Sequence, residues 1–227
     1  MTLYRRGFSQ ESLKGIACTA MLVDHIGTLF FTSLELRMIG RIAFPIYCFL
    51  LVEGMHHTRD MKKYGVRLAV VAVLAEIPYD LAFSGRPDMS TTSVMVTLLL
   101  GYGTILVIRK LTGICRFAAV IPFFLASEVL RSDYAGTGIA IIVLFELTRQ
   151  MPHSRLIQLL GLTLLCWFGA LVRIGPLNVP IQMFAVLAMI PIALYNGRKM
   201  TGSKAVQWGF YLFYPAHLLL LWLASKC

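Results

Sequence analysis

Apolar stretches of about 17 to 22 residues, each bounded by charges, Gly or Pro, follow one another along the whole chain. They predict helices over 13–32, 36–55, 65–84, 92–108, 112–130, 134–150, 156–174, 179–195 and 205–224, nine in all. Pro45, Pro78, Pro122, Pro191 and Pro215 lie inside these runs and are expected to kink the helices rather than end them. No low-complexity segment or internal repeat stands out. No connection exceeds roughly a dozen residues, which leaves no room for a soluble domain. Residues 1–227 therefore read as one all-α, polytopic membrane bundle, with any chemistry placed between its helices.

Composition agrees. Of 227 residues, 58% are hydrophobic and 14% charged, against roughly half and a quarter in a soluble domain, and the mean hydropathy is +0.74. The apolar surface exceeds what one core of this size can bury, so lipid is the expected solvent. A net charge of +10 and a pI near 9.6 would suggest nucleic acid in a soluble protein. Here the cations come in small groups between spans, and no nucleic-acid partner is expected. Cys18, Cys48, Cys115, Cys166 and Cys227 show no CxxC pairing and read as buried thiols, with neither a disulfide framework nor a metal site. The first apolar run continues past any cleavage site and carries Asp24 and His25, so a cleaved signal is not expected; Arg5-Arg6-Gly7-Phe8 resembles a twin-arginine signal only loosely.

Cations also give an orientation, because cytoplasmic loops retain Lys and Arg. Alternate connections carry Arg5, Arg6, Lys14; Arg59, Lys62, Lys63, Arg67; Arg109, Lys110, Arg116; Arg149, Arg155; and Arg198, Lys199, Lys204. The opposite side carries only Arg37, Arg86, Arg131, Arg173 and Lys226. The expected amino terminus is cytoplasmic and the carboxyl terminus extracytoplasmic.

Ionisable side chains inside a span cost about 2.5 to 3.5 kcal/mol and mark function or pairing. This chain places Asp24, His25, Arg41, Glu53, Glu76, Asp80 and His217 there. At 1.5 Å per residue, His25, Arg41, Glu76 and His217 share the outer half of the membrane, while Lys14, Glu53, His56 and His57 lie near the inner edge. Lys14 and His25 are three helical turns apart on one face, about 16 Å along the axis. That spacing joins a cytosolic phosphate to a reactive atom at depth; alternatively, Lys14 only snorkels. His25 can accept a proton from an attacking amine or hydroxyl, or carry an acyl group; alternatively, it pairs with a backbone carbonyl. Asp24 lies about 100° around the helix from His25, so it is expected to pair with a cation on another helix, and Arg41 is the candidate. Glu76 and Asp80, at i and i+4 around Pro78, form either a substrate-amine or proton site or an ion-pairing stripe against Arg41. His217 sits three residues after Tyr214 on one face, for a shared cavity or for packing. Asp133-Tyr134-Ala135-Gly136-Thr137-Gly138 brings small residues that permit close helix approach and is too loose for a phosphate loop. His56 and His57, beside Arg59, Lys62 and Lys63, suggest a basic rim suited to a phosphate-rich ligand.

Several segments carry a family resemblance: Leu13-Lys14, Met21-Leu22-Val23-Asp24-His25-Ile26-Gly27, and Leu36-Arg37-Met38-Ile39-Gly40-Arg41-Ile42-Ala43-Phe44-Pro45. It continues through Glu53-Gly54, His57-Thr58-Arg59, Lys63-Tyr64, Glu76-Ile77-Pro78-Tyr79-Asp80-Leu81-Ala82-Phe83, Asp133-Tyr134, Leu194-Tyr195-Asn196-Gly197 and Tyr211-Leu212-Phe213-Tyr214-Pro215-Ala216-His217. Over nearly its whole length the chain resembles the TraX family of membrane proteins, whose plasmid-borne namesake acetylates the amino terminus of conjugative pilin. The resemblance implies kinship with the acyltransferase-3 and heparan glucosaminide acetyltransferase relatives, marked by a basic residue, ten residues and a histidine. It further implies a bacterial inner-membrane acetyltransferase using cytosolic acetyl-CoA, with an acceptor at the outer face: pilin or another amine, or a surface glycan. His25 becomes the catalytic candidate, Asp24 and Arg41 its supports, and Lys14, Arg59, Lys62, Lys63 and Arg67 the candidates for holding CoA. Glu76, Asp80, Tyr214 and His217 are candidates for the acceptor. No metal is implied, and a homodimer is a possible assembly. A proton-coupled transporter and a non-catalytic assembly factor are the competing readings.

Overall fold

The computed structural model describes residues 7–88, 90–174, 176–199 and 203–226. Arg5, Arg6, Cys227 and the side chain of Lys204 lie outside that description.

The chain is mostly helical. Helix α1 (Gln10–Ile26) continues as a π-helical turn over Gly27–Phe31, followed by α2 (Leu34–Gly40), α3 (Ala43–His57), α4 (Met61–Ser84) and α5 (Val94–Ile108). Then come α6 (Cys115–Ala118), α7 (Val120–Val129), α8 (Ala135–Thr148) and α9 (Ser154–Cys166). Two strands, β1 (Leu171–Ile174) and β2 (Leu177–Pro180), precede a 3-10 helix over Ile181–Ala188, α10 (Met189–Ala193) and α11 (Lys204–Ala224).

Each of the nine expected stretches is thus met by helix, with two corrections. The stretch 156–174 stops being helical at Cys166, and the chain is not purely α. Leu171 to Ile174 pair antiparallel with Leu177 to Pro180, with Val172 opposite Val179. The β-branched Val172, Ile174 and Val179 favour that pleated pairing over a helix. The second correction concerns proline. Pro78 and Pro215 lie inside α4 and α11 as expected, but Pro45, Pro122 and Pro191 each occupy the third residue of a new helix, α3, α7 and α10. A proline in the first turn wastes no helical N–H, whereas the same residue in a helix interior removes a bond. These three therefore mark breaks.

Among the described residues, Gln10–Phe31 and Leu34–His57 are the two stretches long and apolar enough to cross a membrane by length and composition. Val94–Ile108, Ala135–Thr148, Ser154–Cys166 and Ile181–Ala193 are apolar but shorter than the roughly 20 residues a hydrocarbon core asks for.

The chain forms two compact units. Unit 1 comprises residues 1–50 and 153–213, unit 2 residues 51–152 and 214–227; the division falls inside α3 and α11. In unit 1, α1 packs on α2, and α9 packs on the 3-10 helix and α10, burying Leu13, Ala17, Phe44, Ile46, Leu162 and Ile192. In unit 2, α5 packs on α4, α7 and α8 around Val71, Ile105, Ile139, Ile142 and Phe145. The expected close approach at the start of α8 is present: a β-carbon on Gly136 would lie 2.2 Å from the Phe124 ring. Cys18, Cys48 and Cys166 are buried, as expected, but Cys115 is exposed, because α6 is a single short turn with no buried residue.

Candidate functional site

In unit 1 the site grows from the α1–α2 hairpin. Ser9 caps α1 by accepting the Ser12 amide at 3.1 Å. The 3.6-residue period then turns Leu13, Ala17, Met21 and His25 onto one buried face. Lys14 and Cys18 stand along its flank: the Lys14 Nζ lies 5.3 Å from the Phe210 ring centroid, and the Tyr47 hydroxyl donates to Cys18 Sγ at 3.2 Å. The expected Lys14–His25 stripe is therefore a half-buried cation and a buried imidazole on one side of α1. His25 is 9% exposed.

Two glycines let α2 close against α1. A β-carbon on Gly27 would fall 2.5 Å from Leu36 Cβ, and one on Gly40 only 2.2 Å from Asp24 Cβ. The contact brings Asp24 to Arg41: Nη2 donates to Oδ2 at 2.6 Å, with the side chains 10% and 13% exposed. Arg41 Nε also donates to the Arg37 carbonyl at 3.3 Å. Arg41 holds this position because Pro45 has no N–H for the Arg41 carbonyl, so the helix is interrupted there and restarts at Ala43. The pairing expected from the sequence is made. The other carboxylate oxygen, Asp24 Oδ1, is buried without a hydrogen-bond partner among the described residues, an acceptor held in low dielectric.

In unit 2, Glu76 and Asp80 find neutral donors. Glu76 accepts the Ser93 amide at 3.2 Å and the Ser93 hydroxyl at 2.5 Å; Asp80 accepts the Asp88 amide at 2.9 Å. Tyr214 hydrogen-bonds the Ser93 side chain. Ser93 has a single hydroxyl proton, already given to Glu76, so Tyr214 donates and a chain runs Tyr214 to Ser93 to Glu76. The Tyr214 and His217 rings meet edge to face, centroids 5.7 Å apart. The structure thus links Tyr214, His217 and Glu76 and supplies the i, i+4 carboxylate pair with amide and hydroxyl donors from its own unit. Ser93 is the link that sequence reasoning missed; a serine before an apolar run reads only as a helix cap.

The proposed CoA cations of unit 2 are mostly solvated. Arg59, Lys62 and Lys63 are exposed; Lys63 pairs with Asp60 at 3.3 Å, and Arg67 lies 6.0 Å from the Tyr64 ring centroid. Beside them is a network that sequence reasoning did not assemble. Glu146 takes Arg109 at 2.7 and 2.9 Å and His56 at 3.1 Å. Glu53 takes Arg149 at 2.7 Å, and His57 Nδ1 lies 2.8 Å from the Glu53 carbonyl oxygen. Glu146 carried the available signal, a carboxylate within an apolar run.

Comparison with known proteins places this geometry in context. The family model described as TraX protein matches residues 9–225. A Dichelobacter nodosus protein described as "Probable fimbrial assembly protein FimC, serogroup H1" is 32% identical over 237 aligned positions, covering 94% of each chain. An uncharacterised protein of Rickettsia prowazekii, RP591, is 31% identical over 142, covering 60% of this chain and 54% of its own. No solved structure is significantly similar. The α1–α2 hairpin that buries His25 and pairs Asp24 with Arg41 lies wholly inside the matched region, and the chain belongs to the TraX family.

Proposed function

We propose that the protein is a polytopic acetyltransferase of the bacterial inner membrane that moves an acetyl group from cytosolic acetyl-CoA to an amine or hydroxyl presented at the outer face. The observation that carries this reading is the buried His25 on the same helix face as Lys14, next to a carboxylate already neutralised by Arg41. Family membership supports it, as does the spacing shared with acyltransferase-3 and heparan glucosaminide acetyltransferase relatives. The fimbrial-assembly description of the Dichelobacter protein favours a pilin amine as acceptor. Exposed apolar side chains on α4, α7, α9 and α11, among them Val73, Ile77, Val129, Leu160, Leu164 and Leu220, fit a lipid-facing surface and nine membrane-crossing segments.

In this scheme the candidates for holding the CoA phosphates are those read from the sequence, Lys14 and the cations Arg59, Lys62, Lys63 and Arg67. His25 takes the proton of the acceptor as its nitrogen or oxygen attacks the thioester carbonyl. Arg41 opposes the oxyanion charge, and Asp24 Oδ1 accepts a hydrogen bond from the incoming amine. Collapse of the adduct breaks the C–S bond, and the CoA thiolate recovers the proton from the imidazolium. The candidates for binding the acceptor are those read from the sequence, Glu76, Asp80, Tyr214 and His217.

The test compares purified wild type, Lys14→Ala and His25→Ala for heat resistance with acetyl-CoA, and for transfer of labelled acetyl to a pilin-derived amine. Lys14→Ala should lose the ligand-dependent stabilisation. His25→Ala should keep it while transfer falls about 10²- to 10⁴-fold. Undiminished transfer by folded His25→Ala overturns the reading. The Tyr214–Ser93–Glu76 chain favours one other function, proton-coupled transport; substrate uptake that disappears in Glu76→Gln would establish it instead.

A further inference from the structure

At one end of unit 2, two buried carboxylates each hold a guanidinium, and they hold it differently. Glu146, its side chain 7% exposed, engages Arg109 through both Nε and Nη2, and the remaining Nη1 reaches the Met55 carbonyl at 3.4 Å. Arg109 is spent. Glu53, 9% exposed, takes Arg149 through Nε alone at 2.7 Å. Among the described residues neither terminal nitrogen of Arg149 has a hydrogen-bond acceptor, and the side chain is 27% exposed. A guanidinium with its inner edge fixed and both outer nitrogens free presents the parallel donors that match two phosphate oxygens.

The surroundings share that preference. The Arg109–Met55, Arg149–Glu53 and His56–Glu146 contacts, with Tyr102 donating to the Met61 carbonyl at 2.8 Å, gather the ends of α3, α5 and α8 beside the start of α4. Along the segments that meet there, residues 53–67, 102–110 and 146–149, the cations Arg59, Lys62, Lys63, Arg67, Arg109, Lys110 and Arg149 outnumber the acids Glu53, Asp60 and Glu146. The exposed His57 ring sits beside Glu53, with its Nδ1 engaged by the Glu53 carbonyl oxygen at 2.8 Å.

We propose that this end of unit 2 binds a phosphate or diphosphate group, with Arg149 as its fork and Glu53 as the residue that positions the fork. The phosphate comes either from the CoA donor, in which case the site deepens the function proposed above, or from an anionic phospholipid headgroup.

Thermal unfolding of the full-length protein in neutral detergent tests this with three probes: inorganic pyrophosphate, CoA, and phosphatidylglycerol titrated into the micelles against phosphatidylcholine. Wild type should be stabilised by pyrophosphate and by at least one of the other two. The half-saturating concentration should rise at least tenfold in Arg149→Ala and several-fold in Arg149→Lys, which keeps the charge and the Glu53 pair but loses the fork. Glu53→Gln should weaken binding less than Arg149→Ala. Stabilisation by phosphatidylglycerol but not CoA, lost in Arg149→Ala, supports the site and removes it from donor binding. CoA stabilisation unchanged in Arg149→Ala overturns the fork while leaving acetyl transfer standing. Wild type indifferent to all three probes overturns the site whatever the variants do.

Discussion

Gly40 has no room for a β-carbon, since one placed there would lie 2.2 Å from Asp24 Cβ and 2.5 Å from Oδ1. Gly15, in the middle of α1, has nothing within 4 Å. The same substitution should therefore act oppositely at the two sites. Gly15→Ala should stabilise by about 0.5–1 kcal/mol through helix entropy. Gly40→Ala should destabilise by about 1–3 kcal/mol through overpacking, and should lose the proposed acetyl transfer with it as Asp24 is pushed off Arg41. Denaturant titration of the two variants in detergent, with activity assayed alongside, checks both. The Asp24–Arg41 pair was legible in the sequence, because a charge inside an apolar run must find a partner and Arg41 was the cation at matching depth. Gly40 was not legible as its cause. A glycine in an apolar run has many uses, and only the packed hairpin shows which one applies.

At the scale of elements, the positions of helices followed from hydropathy and their joints from local chemistry that hydropathy does not register. Pro45 illustrates this. As a kink it would leave one bent helix over 36–55; as a first-turn residue it ends α2 after Gly40 and sets Arg41 at the joint. Asp60 shows the same logic at the start of α4, where its carboxylate accepts the Lys63 amide at 2.9 Å. That bond, then the Lys63 side chain, holds the Asp60 carboxyl below its ordinary range. A carboxyl whose folded pKa is depressed contributes stability above its unfolded pKa, about 3.9, and loses it as the pH falls through the folded value. Hydrogen-exchange protection of the first α4 amides, corrected for intrinsic rates, should therefore decline on acidification below about pH 4 in wild type and stay level in Asp60→Asn. Equal decline in both would show that the cap does not govern the fraying. The β1–β2 hairpin marks where periodicity reasoning failed: Trp167 to Val179 is apolar enough to extend a span, and β-branching with strand pairing decided otherwise.

For the whole molecule, the proposed topology makes a prediction independent of enzyme activity. Cys115 is exposed, whereas Cys18, Cys48 and Cys166 are buried, and in the proposed topology Cys115, beside Arg109, Lys110 and Arg116, belongs to a cytoplasmic connection. In a Cys227→Ser background, a membrane-impermeant maleimide should label the protein in inverted vesicles and leave it unlabelled in intact spheroplasts. Labelling from outside would reverse the orientation, and with it the side on which the donor is expected.

By itself the sequence determined the helical class, the number and approximate position of the apolar segments, the family, and the Asp24–Arg41 pair. Each depends on composition, spacing or local charge, which are properties of the chain order alone. The tertiary structure decided what had to be brought together from distant positions: Ser93 between Tyr214 and Glu76, and Glu146 between Arg109 and His56. Glu53 reaches Arg149 across 96 positions in the chain. No periodicity encodes such a partner, because which of several cations a buried carboxylate meets depends on helix packing and on the small residues that permit it.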